Sequence, residues 1–407
     1  MKNNLKYTTR KTCRLCGSKK LTPILSLGNL FVSTFVKSKK DKVIRAPLEL
    51  IFCKNCTLLQ LKNTVPQELL FTRHYWYLSG INPVICRDLK EIVQVTRKMI
   101  RLKKGDIVLD IGANDGTLLK YYPKYLVRVG CEPANNLIND LKSVTPHVIH
   151  DFWSYDLWKA QFGERKAKII TAIATFYDME DPNQFIRDAA KALDENGIFC
   201  AQLMCLRPML EKNDIGNVCH EHLEYYSYDS LKYLLEKNGL EIFKIEENEI
   251  NGGSYRLFAR HYKKGSVNYK EKFTKKDFLE FYEKIKKNKK ACVDFIKREV
   301  KKGKKVYVYG ASTKGNTMLQ YYGLNHDLIE GAADKNPDKW GKYTVGTFIP
   351  IVSEAKARKE ADYFLVLPWA FFDEFYKKES DWLEKGGKFI VPLPYFRIVG
   401  KKETSHR

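Results

Sequence analysis

Leu109-Asp110-Ile111-Gly112-Ala113-Asn114-Asp115-Gly116-Thr117, with Glu132 closing the next apolar run, is the stretch that decides the fold. Asp106-Ile107-Val108-Leu109 reads as a buried parallel strand, Gly112 and Gly116 permit a tight turn with close backbone approach, and Thr117-Leu118-Leu119-Lys120 starts a helix. Strand, glycine turn and helix in that order make one unit of an α/β sheet. Such sheets take ligands at the carboxyl ends of their strands.

The spacing narrows the ligand. A dinucleotide site shows G-x-G-x-x-G so that backbone amides can embrace a pyrophosphate, whereas here the pattern is D-x-G-x-x-x-G, flanked by Asp110 and Asp115. Two carboxylates repel a diphosphate but tolerate S-adenosylmethionine, which carries an ammonium and a sulfonium. Glu132 is placed to accept from ribose hydroxyls. The expected cofactor contacts are Asp110, Gly112, Asn114, Asp115, Gly116, Glu132 and Pro133, then Asp151, Phe152, Ala174 and Tyr177 further along. A glycine turn that binds nothing is the plain alternative.

Outward from this loop, strands alternate with helices. Strands are expected at Val127 to Cys131, Ile169 to Ile173 and Gly197 to Leu203, followed by a pair at Leu240 to Ile245 and Ser254 to Arg260, which makes a mainly parallel sheet with an antiparallel edge. A helical segment leads from Lys263 to Lys305, with Phe278, Phe281, Tyr282, Ile285, Val293, Ile296 and Val300 at helical spacing and lysines between them. A second α/β unit then opens at Lys305 to Gly310. Its loop Gly310-Ala311-Ser312-Thr313-Lys314-Gly315-Asn316-Thr317 offers hydroxyls and an ammonium suited to phosphate oxygens, and Asp334 ends the following strand. Its bland alternative is a packing or dimerisation lobe. The boundaries read as 1 to 70, 71 to 262 and 263 to 407.

The first of these units carries Cys13-Arg14-Leu15-Cys16 and Cys53-Lys54-Asn55-Cys56, two C-x-x-C pairs able to surround one structural Zn²⁺. Four thiolates leave no open position for catalysis. A redox dithiol is the rival reading. The other six of the ten cysteines show no pairing pattern. Lys and Arg total 71 against 48 acids, a net +23, but much of the excess belongs to the lysine-rich helix, where a solvated face explains it better than a nucleic-acid tract. The N-terminus lacks an apolar signal region and no apolar run has transmembrane length, so a soluble, cytoplasmic protein without membrane contact is expected.

Chemistry is expected at Asn217-Val218-Cys219-His220-Glu221-His222-Leu223-Glu224-Tyr225-Tyr226-Ser227. In extended backbone His220 and His222 would share a face, and a turn could set Glu221 against either ring. The readings open at this point are a metal chelate, a structural histidine pair, and a general base whose tautomer a carboxylate fixes. Carbon alkylation needs such a base. Tyr75 and Tyr77, in His74-Tyr75-Trp76-Tyr77-Leu78-Ser79-Gly80, offer phenols to a developing oxyanion. Asn251-Gly252-Gly253-Ser254 is either a hairpin turn or a close approach to a ligand.

Taken in order, the C-x-x-C pairs, Tyr-x-Tyr-x-Ser-Gly, D-I-G-A-N-D-G-T, H-E-H-L-E-Y-Y-S, I-N-G-G-S and G-A-S-T-K-G-N-T resemble the nucleotide-sugar C-methyltransferases from Cys13 to about Pro394. That resemblance implies a zinc domain, a central class I methyltransferase domain of Rossmann-like fold, and a C-terminal Rossmann-like lobe that helps hold a nucleoside-diphosphate 4-keto-deoxy sugar. It implies His222 as the base beside the ketone, Glu221 as its partner, and Tyr77 or Tyr75 as donor to the oxyanion. It places Asn251, Gly252, Ser254, Ser312, Lys314, Asn316 and Asp334 near the sugar nucleotide, Lys314 meeting the diphosphate. Cys219 and Asp178 stand where some members carry an aromatic residue and a histidine, which leaves open another keto sugar, another methylation site or a non-sugar ketone. Methylation of nucleic acid is disfavoured because Ala174-Thr175-Phe176-Tyr177-Asp178 lacks the N-P-P-Y pattern of base-amine methyltransferases. A scaffold without activity is the third class.

Overall fold

In the central sheet of the computed structural model, which describes residues 7–72 and 74–401, Ile107–Ile111 is buried along its whole length. The sheet has seven strands in the order Leu240–Asn248, Ser254–His261, Leu193–Met204, Ala167–Ile173, Ile107–Ile111, Val127–Cys131, His147–Ile149. Ser254–His261 runs antiparallel to both neighbours, and the remaining pairs are parallel. The antiparallel edge expected from the sequence is therefore present. Asp106 is outside the strand because its carboxylate accepts from the Lys103 amide at 2.6 Å and closes a turn. His147–Ile149 went unread, being three residues long and too short to show a period.

The order of winding reverses between the parallel strands Ile107–Ile111 and Ala167–Ile173, where one half of the sheet winds outward to Val127–Cys131 and the other to Leu193–Met204. A crevice opens at the carboxyl ends of strands at such a switch point. The loop after Ile107–Ile111 is folded by two amides, Gly112 and Ala113, that both donate to the Cys131 carbonyl, at 2.9 and 3.0 Å. Gly112 and Gly116 have φ of 74° and 75°, and a methyl on Gly112 would come within 2.4 Å of Thr175 Oγ1. Both positions require glycine.

A second sheet follows the helix Lys275–Lys301, with order Ile351–Ser353, Gly331–Asp334, Val306–Tyr309, Tyr363–Val366, Lys388–Val391, Arg397–Val399. Its last strand is antiparallel and the rest are parallel. The long helix starts at a Thr274–Asp277 capping box and buries Phe278, Phe281, Ile285, Cys292 and Ile296. Tyr282, Val293 and Val300 are only partly covered, on the shoulder of that stripe. Among the described residues no helix is long and apolar enough to cross a membrane.

The N-terminal segment is knit into both lobes. Leu21–Phe31, Arg45–Cys53 and Leu59–Leu61 form an antiparallel sheet whose fourth strand is Glu224–Tyr225, just past the H-E-H run. On its other side Phe35–Val36 pairs with Tyr343–Thr344, and the Gln320 amide both donates to and accepts from the Phe31 backbone.

Candidate active site

A cavity of about 410 Å³ lies at the carboxyl ends of the central strands, closed on its far side by the second lobe. That volume suits a small-molecule site. Four strand ends supply its floor: Gly112 and Asn114, then Glu132 and Pro133, then Asp151 and Phe152, then Ala174 and Tyr177. Glu132 accepts from the Asn114 amide at 2.8 Å through one oxygen and from the Ala134 amide at 2.9 Å through the other. Each oxygen keeps a lone pair for a further donor. Burial raises the Glu132 pKa against these two bonds. Ala174 holds φ at 54°, a conformation rare for alanine, and turns its neighbours Thr175 and Tyr177 toward the cavity.

Three residues expected at the cofactor lie elsewhere. Asp110 sits beneath the loop beside a smaller pocket, accepts from Thr171 Oγ1 at 2.6 Å, and is pushed up to about 7 by burial. Asp115 accepts from the Gly80 amide at 2.9 Å and the Thr117 amide at 3.0 Å, so its charge fastens the tyrosine segment and the helix start. Gly116 caps that helix in a left-handed conformation and is packed by Leu141 and Val144.

The catalytic candidates separate in the same way. Tyr75, Tyr77, Glu221 and His222 line the cavity, and His220 does not. The alternation expected of an extended run fails because residues 219–221 form bends rather than strand. His220 turns outward, with Nε2 3.0 Å from the Ala46 carbonyl. His222 Nδ1 donates to the Asn217 carbonyl at 2.8 Å, and its ring packs edge-on against Tyr177 at 4.8 Å. The tautomer is thereby set by a backbone carbonyl rather than by Glu221. Glu221 instead accepts from the Cys219 thiol and the Thr313 hydroxyl, and burial pushes it up to about 7. Burial first, then the charge of Lys314, pushes the His222 pKa well down.

From the second lobe and the 250s turn, Asn251, Ser312 and Lys314 reach the cavity. Gly252 backs onto Trp369, and Ser254 bonds the Ile250 carbonyl beside the smaller pocket. Asn316 is buried one turn inside the helix Thr313–Tyr322, and Asp334 is consumed by the Ala311 and Asn336 amides and by Lys339. Lys314 Nζ stands 3.3 Å from Asn217 Oδ1 and 3.3 Å from Met204 Sδ, beside the histidine rather than at the rim.

Away from this cavity the Sγ atoms of Cys13, Cys16, Cys53 and Cys56 lie within 4.8 Å of one another. Both C-x-x-C turns close alike: Gly17 and Thr57, each at positive φ, donate to the carbonyls of Cys13 and Cys53. Among the described residues this is the one group of three or more His, Cys, Asp or Glu close enough to hold a metal, whereas His220 and His222 are turned to different partners, the Ala46 and Asn217 carbonyls.

Three family models match the chain in order: a zinc binding domain over 13–71, a methyltransferase domain over 83–245 and a C-methyltransferase C-terminal domain over 249–394. The chain is also 28% identical to C-methyltransferase NovU of Streptomyces niveus, over 96% of this chain and 97% of that protein. In order and extent these matches are those of a C-methyltransferase. A methyltransferase of Clostridium acetobutylicum superposes with TM-score 0.35 at 12% identity, over 43% of this chain and 92% of that one. A magnesium protoporphyrin IX methyltransferase of Synechocystis gives 0.33 at 13%, over 44% and 79%.

This C-methyltransferase is S-adenosylmethionine-dependent and has a four-cysteine zinc region. Both groups fit the residues present. A soft, closed thiolate set suits Zn²⁺, and a carboxylate with spare lone pairs at the end of the second strand suits a ribose. The reading of the sequence passed over Asp214, which accepts from the Trp369 indole, and Asn217, whose carbonyl orients the His222 ring. A backbone acceptor leaves no mark on a sequence. Asp178 carried a signal only as a departure from the family, yet it lines the cavity with Oδ1 buried and unpartnered and its pKa raised by burial and by Glu221.

Proposed function

We propose that this C-methyltransferase alkylates the carbon next to the ketone of a nucleoside-diphosphate 4-keto-deoxy sugar. The observation carrying this reading is His222. Its Nδ1–H is committed to the Asn217 carbonyl, so the lone pair is on Nε2, and its depressed pKa keeps the ring neutral near pH 7. A neutral imidazole in a closed cavity can take a proton from carbon, which oxygen and nitrogen acceptors need much less. S-adenosylmethionine supplies an electrophilic methyl group. Glu132 and Asn114 hold the cofactor side of the cavity, Glu221 lines the same cavity as His222, and the phenols of Tyr75 and Tyr77 border the space left for the sugar. The N-terminus of the helix Thr313–Tyr322 and the Ser312 hydroxyl face the same space and suit the nucleotide end. The ordered motifs shared with nucleotide-sugar enzymes favour a sugar over other ketones.

The test is a mass-spectrometric assay of methyl transfer to a panel of nucleoside-diphosphate 4-keto-6-deoxy sugars, with RNA and DNA as controls. A sugar product heavier by one CH₂ is expected, and His222→Asn should lower its rate about 10²- to 10⁴-fold. Full activity in folded His222→Asn would remove the base. Methylation of nucleic acid alone would remove the substrate class.

A further inference from the structure

We infer that Lys314 is a catalytic residue whose ammonium holds the ketone oxygen as it becomes an enolate oxygen, a role that rests on the carbon-acid reading above. A base as weak as a histidine of depressed pKa cannot remove a proton from carbon unless the charge that develops on oxygen is stabilised at the same moment. Lys314 is placed for this. Its two contacts, an amide oxygen and a thioether, are both uncharged, and among the described residues it makes no ion pair. It is also the cation lining the cavity, among its described residues.

Asn217 joins the two groups. Its backbone carbonyl takes the His222 Nδ1 proton at 2.8 Å while its side-chain oxygen takes the Lys314 ammonium at 3.3 Å. One residue thus fixes the base and the cation beside each other, as the proton and the oxygen of an H–C–C=O unit require. In the step, the C–H proton passes to Nε2 and the C–H electron pair becomes the C=C bond. The C=O π pair moves onto oxygen against Nζ, and the carbonyl re-forms as the C=C pair bonds the methyl carbon while the S–CH₃ pair stays on sulfur, which leaves as the neutral thioether.

A diphosphate on Nζ fits less well. Asp178, Asp214 and Glu221 line the cavity with Lys314, and a permanent dianion on Nζ would be tolerated only while burial keeps all three carboxyl groups protonated. A ketone arrives neutral and turns negative only in the transition state. The Ser312 hydroxyl proton, whose oxygen already accepts from the Gly315 amide, and the amides of Thr313 and Lys314 at the start of the helix suit the phosphates.

The experiment uses the full-length enzyme, Lys314→Met, Lys314→Gln and Lys314→Arg, with thymidine-diphosphate 4-keto-6-deoxyglucose and its uridine counterpart as probes in deuterated water. Deuterium uptake without methyl donor is measured beside kcat and KM with it, and S-adenosylmethionine titration checks that each variant is folded. Uptake and kcat should fall about 10²- to 10³-fold in the Met and Gln variants with KM little changed, and Lys314→Arg should recover part of both. A raised KM with kcat and uptake intact would overturn the role and return Lys314 to the diphosphate. Absence of uptake by the wild type, with methylation of another acceptor, would defeat the carbon-acid reading itself and this role with it.

Discussion

Glu221 is a carboxyl group that the fold holds at about 7, against an ordinary 4.5, because burial outweighs the bonds it receives from Cys219 and Thr313. The consequence for stability has a definite sign. Below about pH 4.5 the group is protonated in both states and has no effect; between about 4.5 and 7 the unfolded chain releases the proton while the folded chain keeps it, so stability falls as pH rises and levels off above 7. A shift of this size corresponds to about 3 kcal/mol. Glu221→Gln lacks this titration, so its stability relative to wild type should improve by about 3 kcal/mol between pH 4.5 and pH 8, read from denaturant midpoints of both proteins. Parallel curves would mean that Glu221 titrates in the fold as it does in the unfolded chain. At this scale the sequence was readable where the chemistry is in a side chain, as for Glu132, His222 and the four cysteines. It was mute where backbone decides, as for the Asn217 carbonyl that orients His222 and for Ala174 at φ 54°.

The element that decides the cofactor side is the turn after Ile107–Ile111. Its glycine pattern was legible because only glycine tolerates both positive φ and the approach of Thr175. Gly112→Ala should destabilise the protein by more than about 1 kcal/mol and weaken S-adenosylmethionine binding. Thr175→Ala removes the two atoms that the new methyl would meet at 2.4 and 2.8 Å, so the double variant should regain the steric part of the loss and keep the part due to φ. Thermal unfolding and cofactor titration of the two single variants and the double would separate the terms; strict additivity would mean that Thr175 does not define the turn. Periodicity located the sheet strands for the same kind of reason, since burial on both faces writes an apolar run. It failed across residues 219–221, where bends replace the extended backbone on which the two-residue alternation depends and His220 and His222 part company.

On the scale of the whole molecule the metal site and the base are joined through the N-terminal sheet. Arg14, between the first two cysteines, bonds Gln60 and the Leu61 carbonyl and makes a buried ion pair with Glu224, while its own carbonyl accepts from Asn183 of the central lobe. The Leu61 amide in turn bonds the Leu223 carbonyl, the residue after His222. No spacing in the sequence foretells that Glu224–Tyr225 completes a sheet begun about 200 residues earlier, because pairing between distant segments is set by three-dimensional packing. Zinc is therefore expected to act on catalysis from a distance, by holding the strand Glu224–Tyr225 that follows His222. Cys56→Ser should abolish the one zinc per chain, raise amide hydrogen exchange in Leu59–Leu61 and Leu223–Tyr225, and lower kcat although no cysteine of the cluster lines the cavity. Unchanged zinc content in that variant would dismiss the four-cysteine site. Lost zinc with unaltered exchange and kcat would leave the metal holding its own knuckles and nothing beyond them.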